Sequence, residues 1–117
     1  MKRRLNIAVA GAALLIAACA AFQAPKTPAE AVDQANIVLT ATAQQVADNV
    51  RAGVMTGAEG ASVLAQVKQY AGVVDEARGL LGAGDVTGAE NRLRLVNTAI
   101  LALHKRVAAK ARAGGAQ

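Results

Sequence analysis

Two side chains in this sequence could do chemistry that the rest cannot: the one thiol, Cys19, and the one imidazole, His104. A deprotonated thiol is a nucleophile, a metal ligand or an acylation site. An imidazole can act as acid, base or ligand near neutral pH. Neither has a partner at a spacing that would form a catalytic dyad or a metal set. The carboxylates are Glu30, Asp33, Asp48, Glu59, Asp75, Glu76, Asp85 and Glu90. Glu30, Glu59 and Glu90 each stand three residues after a threonine, which is a helix-capping position. Asp75 and Glu76 are adjacent, so on a helix they diverge by about 100° and do not face one another. No nucleophile triad, metal-ligand spacing or phosphate loop is found. Gly82-Ala83-Gly84-Asp85 is preceded by no strand pattern and reads as a helix stop. The inventory points away from an enzyme and implies neither cofactor nor metal. A basic run closes the chain: Lys105, Arg106, Lys110 and Arg112, with no acid from residue 104 onward. Its plain reading is a helix end that complements the helix dipole. The functional alternative is contact with anionic lipid headgroups or cell-wall polymer.

The neighbours of Cys19 give the thiol a context. Lys2, Arg3 and Arg4 open the chain, Leu5 to Ala18 is apolar apart from Asn6, and small residues surround the cysteine. Charge, apolar stretch and small-residue cleavage site is the order of a secretory signal. The apolar stretch falls short of the roughly 20 residues that span a bilayer. The segment Ile16-Ala17-Ala18-Cys19 resembles the lipobox of bacterial lipoproteins. That resemblance implies cleavage before Cys19, lipid on its thiol, and attachment of the chain to a membrane of the bacterial envelope. In enterobacterial lipoproteins an aspartate directly after the cysteine tends to hold the protein at the inner membrane. Ala20 stands there, which implies the outer membrane and a domain facing the periplasm.

Removing residues 1–18 would take three cations with it, lowering the formal charge from +5 to +2. The basic balance is thus largely a property of the signal, and nucleic acid is not an expected partner. The chain beyond Cys19 makes one small domain with few aromatics, Phe22 and Tyr70, and no tryptophan. Its core must be built from Val, Leu, Ile and Ala. Residues 19–27, with Pro25 and then Pro28, read as a tether.

Past the tether, a start signal recurs. Thr27-Pro28-Ala29-Glu30, Thr56-Gly57-Ala58-Glu59 and Thr87-Gly88-Ala89-Glu90 share the form T-x-A-E, spaced 29 and 31 residues apart. In this capping box the threonine oxygen accepts from the amide three residues on, and the glutamate reaches back to the threonine amide. Gly53, Gly82 and Gly84 supply stops. These signals predict helices over about 28–52, 57–81 and 88–111, with residues 113–117 as a disordered tail. Apolar seams agree: Val32, Leu39, Ala43, Val46 and Val50; then Val63, Val67, Tyr70, Val74, Ala77 and Leu81; then Leu93, Val96, Ile100, Leu103 and Val107. The expected fold class is all-α: an antiparallel three-helix bundle over residues 28–112, after an N-terminal signal helix. Single helices recur only three times, so a solenoid is not indicated.

Ile37 and Leu101 fall off these seams and are expected to face water. They could be isolated surface residues or an interface with an envelope protein or a second copy. Ala65, Gly72 and Gly79 form a line opposite the helix 2 seam, which reads as tolerated composition. The expected role is a lipid-anchored structural or interaction module of the envelope. The T-G-A-E turns and the length are also similar to small helical lipoproteins encoded by phages and prophages. The alternative is therefore a lysis or superinfection accessory, or an inhibitor of an envelope enzyme.

Overall fold

The computed structural model describes residues 26–115, and these form three helices, with no strand among them. We label them α1 (Pro28–Arg51), α2 (Gly57–Gly82) and α3 (Val86–Gly115). The expected signal segment 1–18, Cys19 and most of the expected tether lie outside the described residues.

The first two starts agree with the sequence. Thr27 accepts from the Glu30 amide at 3.2 Å, with Pro28 inside the first turn, and Thr56 accepts from the Glu59 amide at 3.0 Å. The return half of the capping box is missing at the first start, whereas the Glu59 carboxylate still faces the Thr56 amide. The Glu30 carboxylate accepts from the Lys26 amide instead, and the Glu59 carboxylate binds Lys110.

The third start departs from expectation. Thr87 is not the cap. Asp85 is: its Oδ1 accepts from the Gly88 amide at 2.9 Å and its carbonyl from the Ala89 amide at 3.1 Å. Aspartate is at least as good a cap as threonine, and choosing it lets α3 start two residues earlier. A Cβ on Gly88 would collide with the Asp85 carboxylate, so glycine there lets the carboxylate close over the helix end. Asp85→Ala should therefore cost about 1 kcal/mol, whereas Thr87→Ala should stay within about 0.5 kcal/mol. Chemical denaturation of the two variants checks this, and equal losses would restore Thr87 as the cap.

Both stops are Schellman turns. At the end of α1 the Gly53 amide donates to the Val50 carbonyl and the Val54 amide to the Asn49 carbonyl. At the end of α2 the Gly84 amide donates to Leu81 and the Asp85 amide to Leu80. Gly53 and Gly84 carry the left-handed conformation, with φ of 77° and 83°. Gly82 is still helical. The expected tail is also corrected, because α3 continues through residues 113–115. Gly114 packs closely on Val54 of the first turn, and a side chain at 114 would meet it.

Cross-helix pairs fix the directions. Arg92 binds Glu76, Arg106 binds Gln66, and Lys110 binds Glu59, so α2 and α3 run antiparallel. Thr42 meets His104 and Asn49 meets the Val107 carbonyl, so α1 and α3 run parallel. The helix starts of α1 and α3 thus share one end with the α2 stop. The described bundle measures 54 × 29 × 16 Å.

The aliphatic seams supply the core, with one flank more than the sequence suggested. The α3 seam residues Leu93, Val96, Ile100, Leu103 and Val107 are all buried. On α1, Val32, Leu39 and Val46 are joined by Ala31, Ala35 and Val38, which turn toward α3. On α2 only Gly60, Val74 and Ala77 are fully buried, and Val63, Val67, Tyr70 and Leu81 are half-buried. Gly60 allows α2 to start tight against α1, since a Cβ there would lie 2.7 Å from Val50 Cγ2. The buried residues fall into two clusters. A larger one runs from Ala31 to Ile100 at the end where α1 begins. A smaller one holds Val46, Met55 and Val107 near the opposite end.

Candidate functional site

Between the two apolar clusters lies a polar layer that the sequence did not announce. Thr42 and Asn49, seven residues apart on α1, are 1% and 2% exposed, and His104 of α3 is 8% exposed. The Thr42 hydroxyl lies 2.7 Å from the Val38 carbonyl and 3.0 Å from His104 Nδ1. A carbonyl can only accept, so the single hydroxyl proton points at Val38. Thr42 Oγ1 must then accept from the imidazole. Nδ1 therefore carries the proton of the neutral ring, and Nε2 is left as a bare lone pair. Nε2 is buried and meets no hydrogen-bonding group among the described residues. Burial alone lowers the His104 pKa from its ordinary value, because a charged imidazolium would lose its water.

Asn49 lies one heptad further along α1, beyond Val46 and beside the smaller cluster. Its amide donates to the Val107 carbonyl at 3.2 Å and its Oδ1 accepts from Gln45 at 2.9 Å. Its own carbonyl takes the Val54 and Met55 amides of the first turn. A buried polar pairing of this kind fits one register and penalises others, as a single buried asparagine does in coiled coils. The sequence signal was available: Thr42, Val46 and Asn49 continue the helical stripe of Val32, Ala35 and Val38. A seam listed from apolar residues alone passes over it.

The cations predicted to form a basic end divide into two sets. Lys110 is paired with Glu59 and Arg106 with Gln66, so both hold α3 to α2. The Lys110 ammonium, bonded to the Glu59 carboxylate, keeps that group below the ordinary carboxylate range. Lys105 and Arg112 are exposed and have no ion pair among the described residues. Lys110 and Arg112 lie at the end of the bundle remote from Pro28, since Lys110 meets the start of α2.

Ile37 is 54% exposed, as expected, but Leu101 is half-buried rather than facing water. An ideal wheel places Leu101 on the α3 flank that turns toward α1, next to His104 and Ala108. Leu95, at 77% exposure, and Leu64 are more open than Leu101 and were not singled out in the sequence. Gly72 and Gly79 face open space, where an added Cβ would touch nothing, which agrees with their reading as tolerated composition.

One shallow groove of about 310 Å³ opens where α1 and α3 begin, lined by Lys26, Thr27, Ala31, Glu90, Arg94 and Asn97 among others. Asn97 Oδ1 is buried there without a protein partner. Among the described residues no group of three or more His, Cys, Asp or Glu could hold a metal ion, and no helix is long and apolar enough to cross a membrane. No family model, curated protein or solved structure matches the chain.

Proposed function

We propose that this chain is a lipid-anchored lipoprotein of the bacterial envelope whose helical bundle serves as a structural or protein-interaction module. One observation carries the reading. The sole cysteine stands at the end of Ile16-Ala17-Ala18-Cys19, directly after a charged start and a short apolar stretch. A single cysteine cannot form an internal disulfide, which suits a thiol kept for acylation. In this reading the lipid sits on Cys19, the domain faces the periplasm from the outer membrane, and the partner is an envelope protein or a second copy.

The position of α1 supports the same reading. Pro28 opens the bundle nine residues after Cys19, and the intervening chain can span at most about 30 Å. The bundle therefore hangs from one end, with the α1–α2 turn, Lys110 and Arg112 at the other. Lys105 and Arg112 are then free to meet an anionic partner away from the anchoring bilayer.

Intact mass of the protein purified from cell membranes tests this reading. The expected species lacks residues 1–18 and carries acyl mass on Cys19. A species with an unmodified thiol and an intact start would overturn it.

A further inference from the structure

His104 is the only imidazole in the chain, and the packing gives it an unusual position. It sits in the layer between the larger apolar cluster and the small one of Val46, Met55 and Val107. It is locked to α1 through Thr42, whose own proton is committed to Val38. The bare nitrogen, Nε2, lies in the core with no donor or acceptor against it. A neutral ring keeps the Thr42 contact and leaves only an uncharged lone pair unpaired at Nε2. A protonated ring adds a charged N–H where nothing accepts it.

We infer that His104 is an acid-sensitive latch that releases the end of the bundle remote from Pro28. Protonation at Nε2 sets the α1–α3 seam against itself at the middle of the bundle. The larger cluster remains closed on one side of that layer. The other side holds fewer fully buried apolar residues, Val46, Met55, Val107 and Ala108, beside the Asn49 contacts, so it is the part that yields. Mild acid thus opens the half that holds the first turn and the last three turns of α3, while the half nearest Pro28 keeps its packing.

No neighbouring charge supplies an alternative cause. On α1 the charged groups in this half are Asp48 and Arg51, both exposed and paired with each other. On α2 they are Glu59, bound to Lys110, and Lys68, which is exposed. On α3 itself Lys105 points outward and Arg106 turns to Gln66. None of these is an acceptor at Nε2.

The direction of the response comes from linkage. The folded ring resists protonation while the unfolded ring titrates near its ordinary value of 6.5. Stability is therefore complete above that pH and falls as pH drops through it toward the lower folded value. If the closed state binds no proton, the loss is bounded at about tenfold in the opening equilibrium at pH 5.5. The Glu59–Lys110 contribution is complete above the ordinary carboxylate value of 4.5 and is lost as pH falls below it toward the lower folded value, so that pair still stands at pH 5.5.

The test uses the full chain without a histidine tag, so that one imidazole signal is seen. NMR of the ring should show the Nδ1–H tautomer and a midpoint below 6.5. Hydrogen exchange at pH 7.5 and 5.5, corrected for intrinsic rates, should show amides in 43–55 and 104–112 opening more at acid pH, by up to about tenfold. Amides in 31–39 and 89–97 should change less. His104→Gln should erase the difference between the two halves. A midpoint at or above 6.5, an Nε2–H tautomer, or a uniform acid response across both halves would overturn the latch. Should His104→Gln fail to fold, the wild-type midpoint, tautomer and exchange pattern decide the matter alone.

Discussion

Cys19→Ser is expected to move the protein out of the membrane fraction and to leave residues 1–18 attached. A serine hydroxyl has nearly the same size as the thiol but lacks its nucleophilic anion at neutral pH. Acylation and the cleavage that depends on it should both stop. The described bundle offers no helix able to hold a bilayer by itself, and a short, alanine-rich start is a weak substitute for lipid. The effect should be nearly all-or-none: label from a fatty-acid analogue lost, and the mature species replaced by a heavier precursor. If Cys19→Ser stays in the membrane at the wild-type mass, the lipoprotein reading fails and an uncleaved N-terminal anchor takes its place. The change lies outside the three helices in sequence, so thermal unfolding of the bundle should be the same in both proteins.

The second large effect lies in the core. Ile100 is 1% exposed and belongs to the larger apolar cluster contributed by all three helices. Ile100→Ala removes three carbons from a packed site and should cost about 2–5 kcal/mol, with the upper part of that range if the cavity stays open. A folded unit of this size holds roughly 5–13 kcal/mol in total. The melting temperature should then fall by about 10–30 °C. Ile37→Ala, at a residue 54% exposed, should shift it little, within about 0.5 kcal/mol. Thermal melts of the two variants check the contrast, and similar losses at both sites would mean that Ile37 is covered in solution.

The three helices were legible because their signals are local. Thr27 and Thr56 act as caps within four residues, and Gly53 acts within a single turn. The mistaken cap came from matching a pattern where two caps competed: Asp85 lies just upstream of Thr87, and the pattern matched only the threonine. The polar layer was illegible for a different reason. Thr42 and His104 are 62 residues apart in sequence, and nothing local tells a polar residue that its partner lies across a seam. Alanines posed the same difficulty. Ala35, Ala77 and Ala89 are as buried as any leucine, yet alanine is compatible with either face. Leu101 was misplaced because one seam per helix was assumed, while α1 and α3 each serve two neighbours. The proposed anchor, Cys19, rests on sequence alone.

An odd number of helices has a mechanical consequence. Because α1 and α3 are parallel, the chain enters the bundle at one end and leaves α3 at the other, about 45 Å away along a helix of thirty residues. A load between a lipid at Cys19 and a partner gripping the end of α3 would run along the bundle axis. It would slide α1 past α3 and strain the seam contacts together, the Thr42–His104 and Asn49–Val107 bonds among them. An even-numbered bundle, entered and left at the same end, would be peeled open one contact at a time. Under such a load the bundle would bear tension in shear.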